Sequence, residues 1–131
     1  MTTPSGFDRF VVDSSGWVEF LGGGPKADAF GKYLENPEAV LLPSIVVYEL
    51  YKKMLCEQNQ ILAERFLSHA FGFHDRELPL DIALAASAAR VSITTSLPMA
   101  DAIIYATAQA HRAELITSDA HFSGLPGVTL I

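Results

Sequence analysis

The sequence has little of what secreted and membrane proteins depend on. Its only cysteine is Cys56, so no disulfide can form within the chain, and this fits a reducing compartment such as the cytoplasm. Polar or charged residues interrupt every apolar run well before the ~20 residues that a membrane-spanning helix needs. The first residues have neither the basic segment nor the apolar segment of a signal peptide. We therefore expect a cytoplasmic protein with no membrane contact.

Basic residues are also scarce. Lys and Arg number 9 against 15 Asp and Glu, which gives a formal net charge of −6 and a pI of about 5.0. Surfaces that bind nucleic-acid phosphates are usually rich in Lys and Arg. The charge balance therefore argues against a nucleic-acid ligand, unless several of the acids bind a divalent cation and reverse the local field. Charge alone leaves nucleic-acid binding open.

Several motifs of common catalytic sites are missing. The four histidines do not form the His-Glu-x-x-His pattern of a zinc protease, and there is no Gly-x-Ser-x-Gly elbow of a serine hydrolase. The glycine run Gly22–Gly24 is not followed by the Gly-Lys-Ser/Thr ending of a phosphate-binding loop. We interpret this run as a flexible connector.

What the chain does contain is an alternation of short apolar strands and helices. Strands are predicted at 10–12, 39–42, 77–80, 114–117 and 128–131, and helices at 16–21, 26–34, 44–55, 57–71, 82–91 and 98–106, with a polar loop at 92–96. Strands separated by helices favour a parallel sheet with right-handed crossovers. We therefore expect one α/β domain over residues 1–131. Pro79 predicts that the third strand lies at an edge of the sheet, and Asp81 is interpreted as the N-cap of the next helix.

Four carboxylates are placed to meet at one edge of this sheet. Asp13 and Asp119 come directly after the first and fourth strands. Glu49 lies in the helix after the second strand, and Asp101 lies in the first turn of the apolar helix before the fourth. Every βα connection of a parallel sheet opens onto the same edge. The four side chains can therefore converge there.

Each of these acids also has an ordinary structural explanation. Asp13 and Asp119 are in N-cap positions, Asp101 favours the positive end of a helix dipole, and Glu49 can pair with Lys53 four residues on. Together these explanations are strained, because an unpaired carboxylate among apolar neighbours such as those of Asp101 is expensive. Carboxylates ~4 Å apart also repel by roughly 4 kcal/mol at an effective dielectric of 20. Such a cluster needs protons or a hard cation, and oxygen ligands suit Mg²⁺ or Mn²⁺.

Four segments in order along nearly the whole chain carry a resemblance: 11–15 with Trp17, Pro43-Ser44 leading to Glu49, Asp101-Ala102, and 117–119 with Phe122. Together they resemble the motifs of PIN-domain nucleases, and more narrowly those of VapC-type toxins of bacterial or archaeal toxin–antitoxin pairs. One residue departs from the family pattern, since Gly16 lies where the family commonly has a larger side chain. We expect Gly16 to loosen the first helix without removing a ligand.

The resemblance implies a fold and an activity. The fold is a single PIN-like domain whose five-stranded parallel sheet has the order 3-2-1-4-5 and is flanked by helices. The activity is metal-dependent hydrolysis of RNA phosphodiester bonds. Asp13, Asp101, Asp119 and Glu49 would hold Mg²⁺ or Mn²⁺, with Glu49 binding a second ion or positioning the attacking water.

The resemblance also implies supporting residues and partners. The hydroxyls that would orient the acids belong to Ser14, Ser15 and Thr117. The candidates for phosphate contact are Lys52, Lys53 and Arg112, and the alternative for each of them is an ordinary solvated surface position. Half of the residues are hydrophobic and the mean hydropathy is +0.25, so we expect part of the surface to contact a partner or a second copy of the chain. The resemblance implies that this partner is a cognate antitoxin. The surfaces predicted for these partners lie near Trp17, Phe20 and the helices over 44–71.

Other interpretations stay open at this point. One is a PIN-fold RNA-processing nuclease that is not part of a toxin pair, and another is a catalytically silent binding protein of the same fold. A phosphatase or phosphotransfer fold commonly has a second acid two residues after the strand-end Asp, where this chain has Ser15. His121 lies near Asp119 in the sequence, and we interpret it as an exposed loop residue that merits testing.

Overall fold

The computed structural model describes residues 6–73 and 76–131, so the first five residues, His74 and Asp75 lie outside the described part of the chain. The helices and strands are, in order, β1 (Phe10–Val12), α1 (Ser14–Gly22), α2 (Ala27–Leu34), β2 (Val40–Pro43), α3 (Ser44–Cys56), α4 (Gln60–Phe71), β3 (Glu77–Leu78), α5 (Ile82–Thr95), α6 (Met99–Ala110), β4 (Glu114–Thr117) and β5 (Val128–Leu130). Two 3₁₀ turns, at Pro37–Ala39 and Ala120–Phe122, precede β2 and follow β4. The predicted alternation of strands and helices is therefore confirmed.

The five strands form one sheet in the order β3-β2-β1-β4-β5, and every neighbouring pair is parallel. This confirms both the predicted order and the edge position of the strand that precedes Pro79. The central strand pairs on both sides, since Val11 is opposite Leu41 of β2 and Leu115 of β4. Val11 and Val12 are fully buried, as the unbroken apolar run predicts for a strand covered on both faces. The helices pack in sequential pairs, α1 with α2, α3 with α4 and α5 with α6.

Gly16 is required by the packing of α1, which corrects the expectation that it loosens this helix. A Cβ atom at Gly16 would lie 2.5 Å from the ring of Phe30 and 2.6 Å from a methyl group of Val12. Phe30 comes from α2 and is fully buried against this point. Glycine is therefore the residue that lets the Phe30 ring reach the backbone of α1.

The prediction of a polar loop at 92–96 is wrong, because α5 continues to Thr95. The hydroxyls of Thr94 and Thr95 donate to the carbonyls of Arg90 and Val91 at 2.6 Å, so these polar side chains find their hydrogen-bond partners within the helix. Helix α4 begins three residues later than predicted, because Asn59 caps it by accepting the Leu62 N–H at 3.2 Å.

Two predicted helix features are confirmed. Asp81 caps α5, because its side chain accepts the Leu84 N–H at 2.8 Å. Helix α6 is buried on most of its surface, from Ala102 to Ala108. Among the described residues, no single helix is long and apolar enough to cross a membrane, and α5 and α6 reach that length only together, with a bend of 114° between them.

Candidate metal centre

The four predicted carboxylates line one cleft of about 420 Å³. The cleft lies at the carboxyl ends of β1 and β4, where the topology of a parallel sheet places sites. The acids reach it from four different places in the chain: the end of β1 (Asp13), the middle of α3 (Glu49), the first turn of α6 (Asp101) and the end of β4 (Asp119). Their convergence is therefore a product of the tertiary fold.

Asp13 is the most enclosed of the four, with 3% of its surface exposed. Its Oδ1 accepts the Ser14 N–H at 2.8 Å, and its Oδ2 accepts the hydroxyls of Thr117 at 2.8 Å and Ser15 at 3.3 Å. Burial raises the pKa of Asp13, the hydrogen bonds from Thr117 and Ser14 oppose the rise, and the charge of Asp101 adds to it. Asp13 is thus both the N-cap of α1 and a member of the acidic group.

A hydroxyl network ties the ends of β1 and β4 together around Asp13. Ser15 Oγ lies 3.4 Å from Thr117 Oγ1 and accepts the Ser118 N–H at 3.3 Å. Thr117 Oγ1 also accepts the Asp119 N–H at 2.9 Å. The side chains of Ser15 and Thr117 therefore contact Asp13 directly and fix the loop that carries Asp119.

Glu49 does not form the pair with Lys53 that was the alternative explanation for it, because the Nζ of Lys53 binds Glu57 at 2.7 Å instead. The Oε1 atom of Glu49 is buried and has no hydrogen-bond partner in residues 6–73 and 76–131. Burial raises the pKa of Glu49, and repulsion by the other three acids, led by Asp13, raises it further. A hydrogen bond with the Ser14 side chain is the one influence that lowers this pKa. A buried carboxylate oxygen without a donor is costly unless a ligand binds it.

Asp101 and Asp119 meet at a third side chain, that of His121. The Nδ1 atom of His121 lies 3.2 Å from Asp101 Oδ2 and 3.4 Å from Asp119 Oδ1. Burial raises the pKa of Asp101, the hydrogen bond with His121 opposes the rise, and the charge of Asp119 adds to it. The sequence interpretation of His121 as a plain loop residue missed this contact. The available signal was its place two residues after Asp119 and beside the apolar Phe122, which fixes the turn.

The donor set fits a divalent cation. Ligand atoms of Asp101, Asp119 and His121 lie within 4.8 Å of one another, and Asp13 and Glu49 line the same cleft. Of the described basic residues, Lys53 is the one that lines the cleft, and its Nζ is already paired with Glu57. Three acids with raised pKa values therefore face one another with little positive charge from the protein. Carboxylate-rich sites of this kind are typical of Mg²⁺ and Mn²⁺.

The predicted phosphate contacts are not all brought to the cleft. Lys53 lines it, while Lys52 lies outside the lining, with its Nζ 5.6 Å from the ring centre of exposed Tyr48. Arg112 precedes β4 and lines a separate cavity of about 540 Å³ at the amino ends of the strands. That position is on the opposite edge of the sheet, so the role predicted for Arg112 at the cleft is not supported. Among the described residues, Asp8 is the one acid that lines this second cavity.

The comparisons with known proteins agree with this architecture. Residues 10–128 match the PIN domain family, and no curated protein matched the sequence. Similar solved structures include a toxin–antitoxin complex from Klebsiella pneumoniae (25% identity, TM-score 0.70, covering 91% of this chain and 94% of that one). FitAcB from Neisseria gonorrhoeae is also similar, with 25% identity and a TM-score of 0.65 over 86% of this chain and 88% of that one. A third is VapC20 from Mycobacterium tuberculosis, described as a sarcin–ricin loop cleaving toxin. It has 16% identity and a TM-score of 0.70 over 91% of this chain and 96% of that one. The family match and these neighbours bear out the resemblance seen in the sequence, and the chain belongs to the PIN domain family.

Proposed function

We propose that the chain is a Mg²⁺- or Mn²⁺-dependent endoribonuclease, the toxin of a toxin–antitoxin pair, and that residues 1–131 form one PIN domain. The observation that carries this proposal is the cleft at the carboxyl edge of the sheet, which collects Asp13, Glu49, Asp101 and Asp119. Three of these acids have raised pKa values without an ion. A divalent cation would relieve their repulsion, and divalent cations catalyse phosphodiester hydrolysis.

The four acids of the cleft and the hydroxyls beside Asp13 have separate parts in the proposed reaction. A bound ion would lower the pKa of a coordinated water and polarise a phosphoryl oxygen. Asp13, Asp101 and Asp119 would hold that ion, and the hydroxyls of Thr117 and Ser15 keep Asp13 in one orientation through their bonds to Oδ2. The unpartnered Oε1 of Glu49 is available to accept a hydrogen bond from the attacking water or to bind a second ion.

RNA is the proposed substrate. One similar structure is described as a toxin that cleaves the sarcin–ricin loop, and the exposed ring of Tyr48 beside Lys52 offers a stacking and phosphate contact. The test incubates the full chain with total RNA and with single-stranded DNA, in chelator and in Mn²⁺, and maps new RNA ends. Mn²⁺-dependent RNA cleavage that Asp13→Asn abolishes is expected. Intact RNA under all ionic conditions would contradict the proposal.

A cognate antitoxin is the proposed protein partner, because a similar structure is a toxin–antitoxin complex. Trp17 itself is 3% exposed, so it is not a contact residue of the surface predicted near it. The exposed apolar side chains on α1, α3 and α4 remain, and they are Phe20, Tyr48, Leu55, Ile61 and Phe71. Co-expression with the neighbouring open reading frame should restore growth and suppress RNA cleavage. Growth inhibition that the neighbour does not relieve would remove the antitoxin from the proposal.

We propose α5 as the surface of the expected homodimer, a helix that the sequence interpretation left out of the partner surfaces. Ile82 and Ile93 are 90% and 84% exposed, and Ala86 and Ala89 between them are exposed as well. These four residues are spaced by four, three and four positions, which places their side chains on one stripe of the helix. The order of these spacings is the same from either end of the stripe. Two antiparallel copies of α5 would therefore place each isoleucine opposite the other, as a two-fold interface requires. The opposite face of α5 is already packed on α6, through Leu84 and Ala88.

Matched charge substitutions separate the two partner surfaces. Ile93→Asp on α5 should convert a dimer into a monomer in light scattering and keep antitoxin binding. Ile61→Asp on α4, where Ile61 is also exposed, should keep the dimer. A dimer unaffected by Ile93→Asp would place the self-association surface elsewhere.

A further inference from the structure

His121 is held beside the acidic group by the turn that carries it. Asp119 caps the 3₁₀ turn Ala120–Phe122, and its Oδ1 accepts the His121 N–H at 2.9 Å. The next residue, Phe122, is fully buried and anchors the turn in the core. The imidazole is 64% exposed and is turned to the side where Asp101 enters from α6. The chain thus presents a ring nitrogen at the edge of the carboxylate cleft.

The distances from this nitrogen are those between neighbouring ligands of one metal ion. Nδ1 lies 3.2 Å from Asp101 Oδ2 and 3.4 Å from Asp119 Oδ1. Adjacent ligands of an octahedral ion with bonds of about 2.1 Å are about 3.0 Å apart. Those of a tetrahedral ion with bonds of about 2.05 Å are about 3.3 Å apart. An ion can therefore replace the hydrogen bond from Nδ1 to Asp101 and its contact with Asp119 with only small movements of the three side chains.

We propose that His121 Nδ1 is a nitrogen ligand of the ion that Asp101 and Asp119 hold, and that it shifts the selectivity of the site from Mg²⁺ toward Mn²⁺ and Co²⁺. The inference rests on the proposed function, because it concerns the same metal centre. Mg²⁺ strongly prefers oxygen ligands, whereas imidazole binds transition metals well and follows the order Mn²⁺ < Co²⁺ < Ni²⁺ in affinity. An all-carboxylate centre lacks this source of discrimination.

Two other roles for His121 are separable from ligation. As a charge partner of Asp101, it would matter only for the metal-free protein, and as a phosphate contact it would matter only with RNA present. Neither role places a nitrogen on the ion. The test is therefore spectroscopic and is done on the full chain without RNA.

The experiment uses Mn²⁺ as the probe and detects nitrogen bonded to it by the ¹⁴N modulation in pulsed electron paramagnetic resonance. The wild-type protein should show this modulation, His121→Ala should lose it, and His111→Ala should keep it. His111 is a suitable control because its Nδ1 is 2.9 Å from the Thr107 carbonyl at the end of α6, away from the cleft. In calorimetry, His121→Ala should weaken Co²⁺ binding at least about tenfold and Mg²⁺ binding less than about threefold.

The outcomes distinguish this inference from the function on which it rests. Mn²⁺ that binds the wild type without ¹⁴N modulation overturns the role of His121 and leaves the carboxylate centre standing. Equal losses of Co²⁺ and Mg²⁺ affinity in His121→Ala also overturn the selectivity. A wild type that binds no Mn²⁺ at all overturns both. Thermal melts of each variant in chelator establish that all the proteins compared are folded.

Discussion

The sheet buries one carboxylate at the carboxyl ends of its strands and another at the amino ends, and the surroundings of these two side chains differ. Asp13 at the carboxyl edge and Glu114 at the start of β4 are both 3% exposed. Glu114 accepts a hydrogen bond from the Thr129 hydroxyl of β5 and lies near Tyr33, whose pKa is raised mainly by burial and then by the charge of Glu114. Asp13 also accepts hydroxyl bonds, but it shares its edge with Glu49, Asp101 and Asp119.

The difference separates a structural carboxylate from a site. A buried acid surrounded by neutral donors is stabilised by the protein itself. An acid that faces several other acids is not, because each charge raises the pKa values of its neighbours. Burial is the largest cause of the raised pKa values of Asp13, Glu49 and Asp101, and the charge of at least one neighbouring acid adds to each rise. Under the proposed function, metal chemistry is expected at the carboxyl edge, and a structural role is expected for Glu114.

The largest expected effect is the contrast between Asp13→Asn and Glu114→Gln in RNA cleavage. Asp13→Asn removes a proposed metal ligand and should lower the cleavage rate at least about a hundredfold. Glu114→Gln keeps a side chain that can accept the Thr129 bond, and should leave the rate within about threefold while costing about 1–3 kcal/mol of stability. The measurement is initial cleavage rate in Mn²⁺ for proteins shown to be folded. A folded Glu114→Gln protein that is as inactive as Asp13→Asn would contradict the distinction between a structural Glu114 and a functional Asp13.

A smaller effect is expected on stability when one acid is neutralised. The pKa of Asp101 is raised in the direction predicted from the sequence, although burial is the largest cause and repulsion by Asp119 is secondary. Its ionised form therefore destabilises the metal-free protein at neutral pH, and Asp101→Asn should increase the free energy of unfolding in chelator. The same variant should lose RNA cleavage.

The matched control for Asp101→Asn is Asp81→Asn on α5. Asp81 caps that helix through the Leu84 N–H, and Asn is an equally good N-cap. Its free energy of unfolding should change by less than about 0.5 kcal/mol and its activity should remain. Denaturant melts in chelator decide the comparison, and an Asp101→Asn protein that is destabilised yet active would sink the assignment of Asp101 to the site.

The smallest expected effect is the pH dependence of the metal-free protein. Raised pKa values mean that the folded state binds more protons than the unfolded state. The stability contributed by these groups is complete below their unfolded pKa values of about 4, and it is lost as pH rises through their folded values. In chelator, the wild type should lose more stability than Asp101→Asn as pH rises from mildly acidic to neutral. Parallel pH profiles for the two proteins would contradict the coupling of Asp101 to the cluster.

The strands can be predicted from local patterns in the sequence, whereas the order of the sheet was implied by the resemblance to PIN domains. Apolar runs bounded by polar residues define β1 and β4, and a strand-end Asp is visible without a structure. Features that depend on distant contacts are not visible in this way. The need for Gly16, for example, comes from the ring of Phe30 on α2.

His121 and the apolar stripe of α5 show the same limit in the site and on the surface. An exposed histidine in a loop is unremarkable until α6 places Asp101 against it. Ile82 and Ile93 are consistent with a buried helix face in the sequence, and only the packing of α5 on α6 shows that they point away from the core. In both cases the informative partner is supplied by another helix.

The most direct test of the central claim is thermal unfolding of the wild type and Asp101→Asn, each in chelator and in Mn²⁺. At an Mn²⁺ concentration about a hundred times Kd, binding to the folded state should add ~2.7 kcal/mol to the stability of the wild type. Asp101→Asn should start from a higher melting temperature in chelator and gain little from Mn²⁺. Identical melting temperatures of the wild type with and without Mn²⁺ would contradict the claim that the carboxyl edge is a metal centre.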